Sequence, residues 1–192
     1  MQLGQRALVL ASASPRRRYL LNELGLPFSV DARHADESYP EQLKGEEIPQ
    51  FLADAKSRSF KEEELVDGRI ILTADTIVWV NGHVLNKPVD EEDAKRMLRI
   101  LSGTTHEVFT GIQLRSHAQI IRDTDRTEVT FRMLAADEID HYVNTFRPLD
   151  KAGAYGIQEW LGYVGIERIN GCYFNVMGLP LRKVYAALQQ FV

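Results

Sequence analysis

An α/β fold is what this 192-residue chain predicts, and three observations carry the prediction. Two apolar runs, Ala7-Leu8-Val9-Leu10 and the stretch 70–80, have the composition of buried strands. Segments with apolar residues at helical spacing alternate with such runs along the chain. An Asn81-Gly82 pair stands between two apolar stretches, which is the signature of a tight β-hairpin. With 44% hydrophobic residues the chain can bury a proper core, and one domain covering 1–192 is expected.

Taken in order, the first strand ends at Ala11. Ser12, Ala13 and Ser14 are small enough to turn tightly and let backbone approach a ligand. Ser14 caps the helix that follows, and Pro15 takes its first position, where a missing N–H costs nothing. Leu20, Leu21 and Leu24 make its apolar face and Gly25 ends it. Arg16, Arg17 and Arg18 fall in the first turn. The helix dipole disfavours cations there, while the free amide groups attract anions. Accepting that cost points to an anion held at this turn, against the plainer reading of a solvated basic segment.

Phe28-Ser29-Val30 reads as a second strand, and the polar segment 34–45, with Asp36 and Glu37, as a loop. A helix follows from about Glu47, with Ile48, Leu52, Ala55 and Ser59 on one face and Lys56 at its edge. Lysines on helices are ordinarily solvated. The stretch 70–80 is the most apolar in the protein, one central strand or two separated by a kink, and Asp75 interrupts it. A carboxylate in such surroundings requires a partner, a cleft or a turn to cap. The Asn81-Gly82 turn returns the chain through Val84-Leu85 to Lys87, toward the same end of the sheet as Asp75.

Asp90 caps a helix whose core face is Ala94, Met97, Leu98 and Leu101, ended by Gly103. Residues 106–114 and 126–133 alternate as antiparallel strands joined through the polar region 115–125. A short helix carries Ile139, Tyr142, Val143 and Phe146 up to Pro148. The stretch 150–158, with two glycines and two alanines between Lys151 and Gln158, suits a backbone that closes on a ligand. A closing helix turns Leu181, Val184, Tyr185 and Leu188 inward. The five histidines show no ligand spacing and are read as structural or exposed.

Net charge of −4 argues against a nucleic-acid surface and makes the basic cluster local, suited to a small polyanion. Cys172 is the only cysteine, which excludes an internal disulfide and a thiolate zinc site. No secretory leader or membrane-length apolar run is present in the sequence, so a cytoplasmic location is expected. The absence of a Gly-x-x-x-x-Gly-Lys-Ser/Thr run removes a P-loop kinase.

Several short blocks occur in order: Ser12-Ala13-Ser14-Pro15-Arg16-Arg17, Ala74-Asp75-Thr76, Lys87-Pro88, Leu101-Ser102-Gly103, the run Asp150 through Gln158, and Gly178-Leu179-Pro180. Together they resemble the Maf family of nucleoside triphosphate pyrophosphatases over nearly the whole chain. The run ending at Gln158 is similar to the branch acting on dTTP and UTP rather than the one acting on 7-methyl-GTP. The resemblance implies an elongated, two-lobed α/β fold around a twisted mixed β-sheet with a deep central cleft, as in ITPase-like proteins. It implies an enzyme that hydrolyses dTTP and UTP, or modified pyrimidine triphosphates, to the monophosphate and pyrophosphate with a divalent cation, Mg²⁺ or Mn²⁺. Asp75 matches the proton acceptor, and Arg16, Thr76 and Gln158 match substrate-selecting positions. Ser12, Arg17, Lys56 and Lys87 match positions around the triphosphate, while Glu37 stands with Asp75 on the metal side. The implied partner is a small-molecule nucleoside triphosphate, with no nucleic acid and no membrane, and a homodimer is compatible with it. The alternative is a nucleotide-binding regulator of cell division without physiologically important turnover. A charged acceptor such as Asp75 beside Lys87, Arg16 and Gln158 favours the enzyme.

Overall fold

Three parallel strands start the architecture, and the middle one is wholly apolar. In the computed structural model, which describes residues 3–4, 6–66 and 68–191, β1 (Leu8–Leu10) lies between β2 (Phe28–Val30) and β3 (Ile70–Val80). It pairs in parallel with both, Leu8 opposite Phe28 and Ile70. All three β1 residues are buried, as expected of a parallel strand covered on both faces. Val9 and Ile71 pack one face against Phe60 and Leu65. The helix between β1 and β2 is α1 (Pro15–Asn22), with Leu20 and Leu21 buried.

The second helix, α2 (Glu47–Arg58), buries Ile48, Pro49, Leu52, Ala53 and Ser57. This face is rotated from the one the sequence suggests, because Ala55 and Ser59 are only half-buried. The helix lies on β5 (Thr105–Arg115) with no side chain between the two backbones at Gly111. A Cβ there would stand 2.6 Å from Gln50 N and from the carbonyl of Pro49. Gln50 Nε2 also donates to Ile112 O at 3.4 Å, and Thr73 Oγ1 donates to Ala53 O at 2.8 Å.

β3 runs unbroken for 11 residues, so the kink allowed by the sequence does not occur. Asn81 and Gly82 both take positive φ, 52° and 81°, the conformation a two-residue hairpin turn requires. The strand that returns is β4 (His83–Leu85), antiparallel to β3 with Val78 opposite Leu85. Next come α3 (Glu91–Leu101), capped by Asp90 and burying the four residues expected, then β5 and β6 (Ile120–Phe131). β6 starts well before the expected boundary. Its polar beginning stays in the strand because the charges are paired on its surface: Arg122 with Asp54 at 2.7 Å and Asp123 with Lys183 at 2.8 Å.

The chain continues through α4 (Ala136–Phe146), α5 (Trp160–Gly165), β7 (Ile166–Asn170), α6 (Tyr173–Met177) and α7 (Leu181–Gln189). The sheet is mixed and seven-stranded, in the order β2-β1-β3-β5-β6-β7 with β4 on β3. α7 buries Val184, Ala187 and Leu188, whereas Tyr185 is 39% exposed rather than inward. Among the described residues no helix is long and apolar enough to cross a membrane.

The chain divides into two compact units. The first comprises Met1–Asp75, Thr110–Asp125 and Gly178–Val192, and the second Thr76–Phe109 and Arg126–Met177. In the first, Leu10, Leu21, Ile48, Ile70, Leu72 and Leu114 form core. In the second, Leu98, Leu101, Phe131, Tyr142 and Leu161 do so.

Candidate active site

In the first unit the site begins at the turn between β1 and α1. Ser14 Oγ accepts from Arg17 N at 3.4 Å and Ser12 Oγ accepts from Ser14 N at 3.2 Å. Ser14 thus caps the helix as the sequence suggests, and the Ser12 hydroxyl adds a hold on the turn. Arg16 and Arg17 are half-buried in the first helical turn. Arg17 does more than wait for an anion. Its Nε donates to Gly178 O and its Nη1 to Ala74 O, each at 2.8 Å. It therefore ties α1 to the residue before Asp75 and to the start of the last segment. Burial pushes its pKa down from the usual arginine value, opposed by the charge of Asp75.

Asp75 sits in β3 and is only 8% exposed. About two turns beyond the contact at Gly111, Lys56 projects from α2, and its Nζ bonds Asp75 Oδ1. The same Nζ lies 3.1 Å from Glu37 Oε1. A lysine with 17% of its side chain exposed is thus held between two carboxylates, rather than solvated. Of the two adjacent loop acids only Glu37 reaches it. Asp36 turns onto its own loop, accepting from Ser38 N at 2.9 Å and Ser38 Oγ at 2.7 Å, and these bonds hold its pKa below the usual carboxylate value. The start of that loop is tethered by Arg33, which bonds Asp31 at 2.8 Å and Glu64 at 2.6 Å and lies over the ring of Phe60.

Asp75 and Glu37 are oxygen donors of the kind Mg²⁺ and Mn²⁺ prefer, and the bond to Lys56 engages one oxygen of each. No group of three His, Cys, Asp or Glu among the described residues is arranged to hold a metal by itself. This donor set fits a hard cation that completes its shell with water and substrate phosphates, the usual manner of Mg²⁺ in phosphoryl chemistry.

In the second unit, Thr76 is half-buried in β3 and Lys87 is exposed just past β4. Gln158 belongs to a turn closed by Glu159 N donating to Gly156 O at 3.1 Å. Its Oε1 is buried without a hydrogen-bond partner. A buried amide oxygen left unpaired is costly. Behind it lies a cluster the sequence did not announce. Tyr155 Oη and His106 Nε2 are 2.7 Å apart, with Phe131 edge-on to both rings. Lys151, expected at one end of a binding loop, is instead buried against Asp150 at 2.6 Å and Glu159 at 3.1 Å. The only hint in the sequence was a charged pair abutting a run of glycine and alanine.

A family profile described as "Maf-like protein" matches residues 7–191. The chain belongs to the Maf family. Maf-family relatives extend over nearly its full length. A protein of Phocaeicola vulgatus named dTTP/UTP pyrophosphatase is 46% identical over 184 residues, 95% of either chain. One of the same name from Bacteroides fragilis (strain ATCC 25285) is 47% identical over 189 residues, 98% of this Maf chain and 97% of its own. Another from Flavobacterium johnsoniae is 42% identical over 191 residues, 100% of this chain and 98% of its own. Among solved structures, the Ham1 protein of Staphylococcus aureus superimposes with a TM-score of 0.53 over 96% of this chain and 99% of its own. At 14% identity that likeness concerns the fold alone, a mixed α/β architecture that this Maf chain shares.

Proposed function

We propose that this Maf protein hydrolyses dTTP and UTP to the corresponding monophosphate and pyrophosphate. The observation that carries the reading is the Glu37–Lys56–Asp75 cluster, a nearly buried carboxylate and its lysine in a chain whose full-length relatives bear that activity in their names. The family profile runs without a break from 7 to 191, which supports treating 1–192 as one functional domain. A cytoplasmic setting, where a lone thiol such as Cys172 stays reduced, completes the proposal.

Hydrolysis adds water across the α–β phosphoanhydride, and negative charge develops on the departing pyrophosphate. Catalysis is then mostly positioning and electrostatic stabilisation. Arg16 and Lys87 supply cations for the triphosphate, and Ser12 a hydroxyl at the α1 turn. Arg17 holds that turn against β3 while adding its own charge. Asp75 accepts the proton of the attacking water, with Lys56 fixing the carboxylate's orientation. A divalent cation, when bound by Asp75 and Glu37, supplies Lewis-acid neutralisation of phosphate charge. Thr76 and Gln158 select the base. Uracil and thymine present a ring N–H between two carbonyls, so the orphan Oε1 of Gln158 meets a donor while its amide N–H₂ meets an acceptor. Adenine and cytosine present an unprotonated ring nitrogen beside an exocyclic amine, so the N–H and carbonyl order that Gln158 meets in uracil and thymine is not reproduced.

Pyrophosphate release across a panel of nucleoside triphosphates, modified pyrimidines included, tests the reading. The expected result is preferred release from dTTP and UTP, abolished by EDTA and restored by Mg²⁺ or Mn²⁺. No release from any triphosphate would overturn it. Full activity in chelator would remove Glu37 and Asp75 from a metal-side role.

A further inference from the structure

The turn that carries Gln158 is held from behind by a single phenol. Tyr142 is fully buried, and its Oη accepts from Gly156 N at 3.0 Å while donating to Glu159 Oε2. Gly156 and Glu159 are the first and last residues of that turn, so one oxygen grips both ends. Burial, reinforced by the Glu159 carboxylate, pushes the Tyr142 pKa far up, so the phenol stays protonated and remains a donor. The other oxygen of Glu159 meets Lys151 Nζ at 3.1 Å, and Lys151 is itself anchored by Asp150 at 2.6 Å.

Glycine at 156 is part of the device. A Cβ there would stand 2.7 Å from Glu159 Cδ and 3.0 Å from Oε2, so the carboxylate folds back over a residue that must lack a side chain. The backbone of Gln158 is engaged as well, since Tyr163 Oη donates to its carbonyl oxygen. The preceding segment is pinned by Gly153 N donating to Asn86 O at 3.2 Å and by the Tyr155–His106 pair. The turn is thus bonded at Gly156, Glu159 and the Gln158 carbonyl within the protein, while Gln158 Oε1 is buried without a partner.

We infer that Tyr142, Glu159 and Lys151 are positioning residues for base selection, acting through the turn that presents Gln158 rather than by touching the nucleotide. The inference rests on Gln158 reading the base. A selector's worth depends on placement, and a displacement of about 1 Å can cost ~10²-fold. Removing the phenol oxygen takes one bond from each end of the turn while leaving the aromatic packing in place.

The test measures kcat/KM for dTTP and dATP on wild type, Tyr142→Phe, Gln158→Ala and the double variant, with melting temperatures alongside. Tyr142→Phe is expected to lower the dTTP-to-dATP ratio by roughly 10- to 100-fold, through KM for dTTP more than through kcat. The double variant is expected to be no less selective than Gln158→Ala alone, because both changes act at one point. An unchanged ratio in Tyr142→Phe, or losses that multiply in the double variant, overturns the inference while the role of Gln158 stands. An unchanged ratio in Gln158→Ala removes the base-reading role and the inference with it. If Tyr142→Phe does not fold, Glu159→Ala carries the same test. Glu159→Gln, which keeps an acceptor for Tyr142, should then recover most of the lost selectivity, and failure to do so counts against the network.

Discussion

Asp75→Asn separates what the Asp75 carboxylate does for folding from what it does for chemistry. In the native protein Lys56 lies between two carboxylates, with Asp75 12% and Glu37 54% exposed at the side chain. Replacing Asp75 by Asn leaves Lys56 paired with Glu37 at 3.1 Å and leaves an amide oxygen able to accept from Nζ. The folding cost is therefore that of weakening one charge-assisted hydrogen bond, about 1–2 kcal/mol. For a domain of this size, that is a fall of ~2–8 °C in Tm. Lys56→Met does the opposite: it strands a carboxylate that is largely out of water, for which the expected cost is about 3–5 kcal/mol. Turnover follows the other order of causes. Without its proton acceptor the Asp75→Asn enzyme should release pyrophosphate from saturating dTTP ~10²–10⁴-fold more slowly, while still binding nucleotide through its cations. Thermal melts and steady-state pyrophosphate release on the two variants supply both readouts. Asp75→Asn turning over within tenfold of wild type would refute the assignment. Asp75→Asn melting below Lys56→Met would refute the account of which partner depends on which.

Two further outcomes are expected. Burial pushes the His106 pKa down to about 3 from an unfolded value near 6.5. Its contribution to stability is therefore complete above about pH 6.5 and is lost as pH falls toward 3, amounting to ~2 kcal/mol by pH 5. Urea unfolding at pH 7.5 and 5.0 should show that loss in wild type and not in His106→Gln; equal losses in both would exclude His106 as the source. Gly153→Ala should destabilise by about 2–4 kcal/mol, since φ is +67° and a Cβ would come 2.9 Å from Val78 Cγ2, combining left-handed strain with overpacking. Val78→Ala in the same chain should return part of that loss, and a Gly153→Ala protein as stable as wild type would show that the loop relaxes freely.

The alternation of strands and helices was legible because local rules agreed with the fold. Ser14 and Asp90 cap the helices they precede, and Asn81-Gly82 makes the turn its φ preferences demand. Where tertiary pairing decided, reading failed. Residues 120–125 look like a loop by composition, yet Asp54 and Lys183, distant in sequence, neutralise them as strand. Tyr185 falls on an apolar helical period but keeps its ring at the surface. The Lys56–Asp75 bond was half legible: a lone acid in an apolar strand calls for a partner, and a lysine at the edge of a buried face is a candidate, but only the fold joins them. The grip of Tyr142 on the turn at Gln158 was not legible, because a tyrosine on a helical period reads as core whether or not its oxygen has work.

The seat of α2 on β5 bears on how this protein can change over evolutionary time. With Gly111 against the backbone of Pro49 and Gln50, the start of the helix is located by main-chain contact in addition to its buried side chains. Its depth at that contact is therefore insensitive to drift in a residue facing outward, such as Arg58. Lys56 inherits that fixed origin and meets Asp75 without rearrangement, so little reorganisation remains when charge moves at the carboxylate. The converse is a narrow point of vulnerability: any side chain at 111 would lift the helix, and with it the lysine, without touching a single charged group.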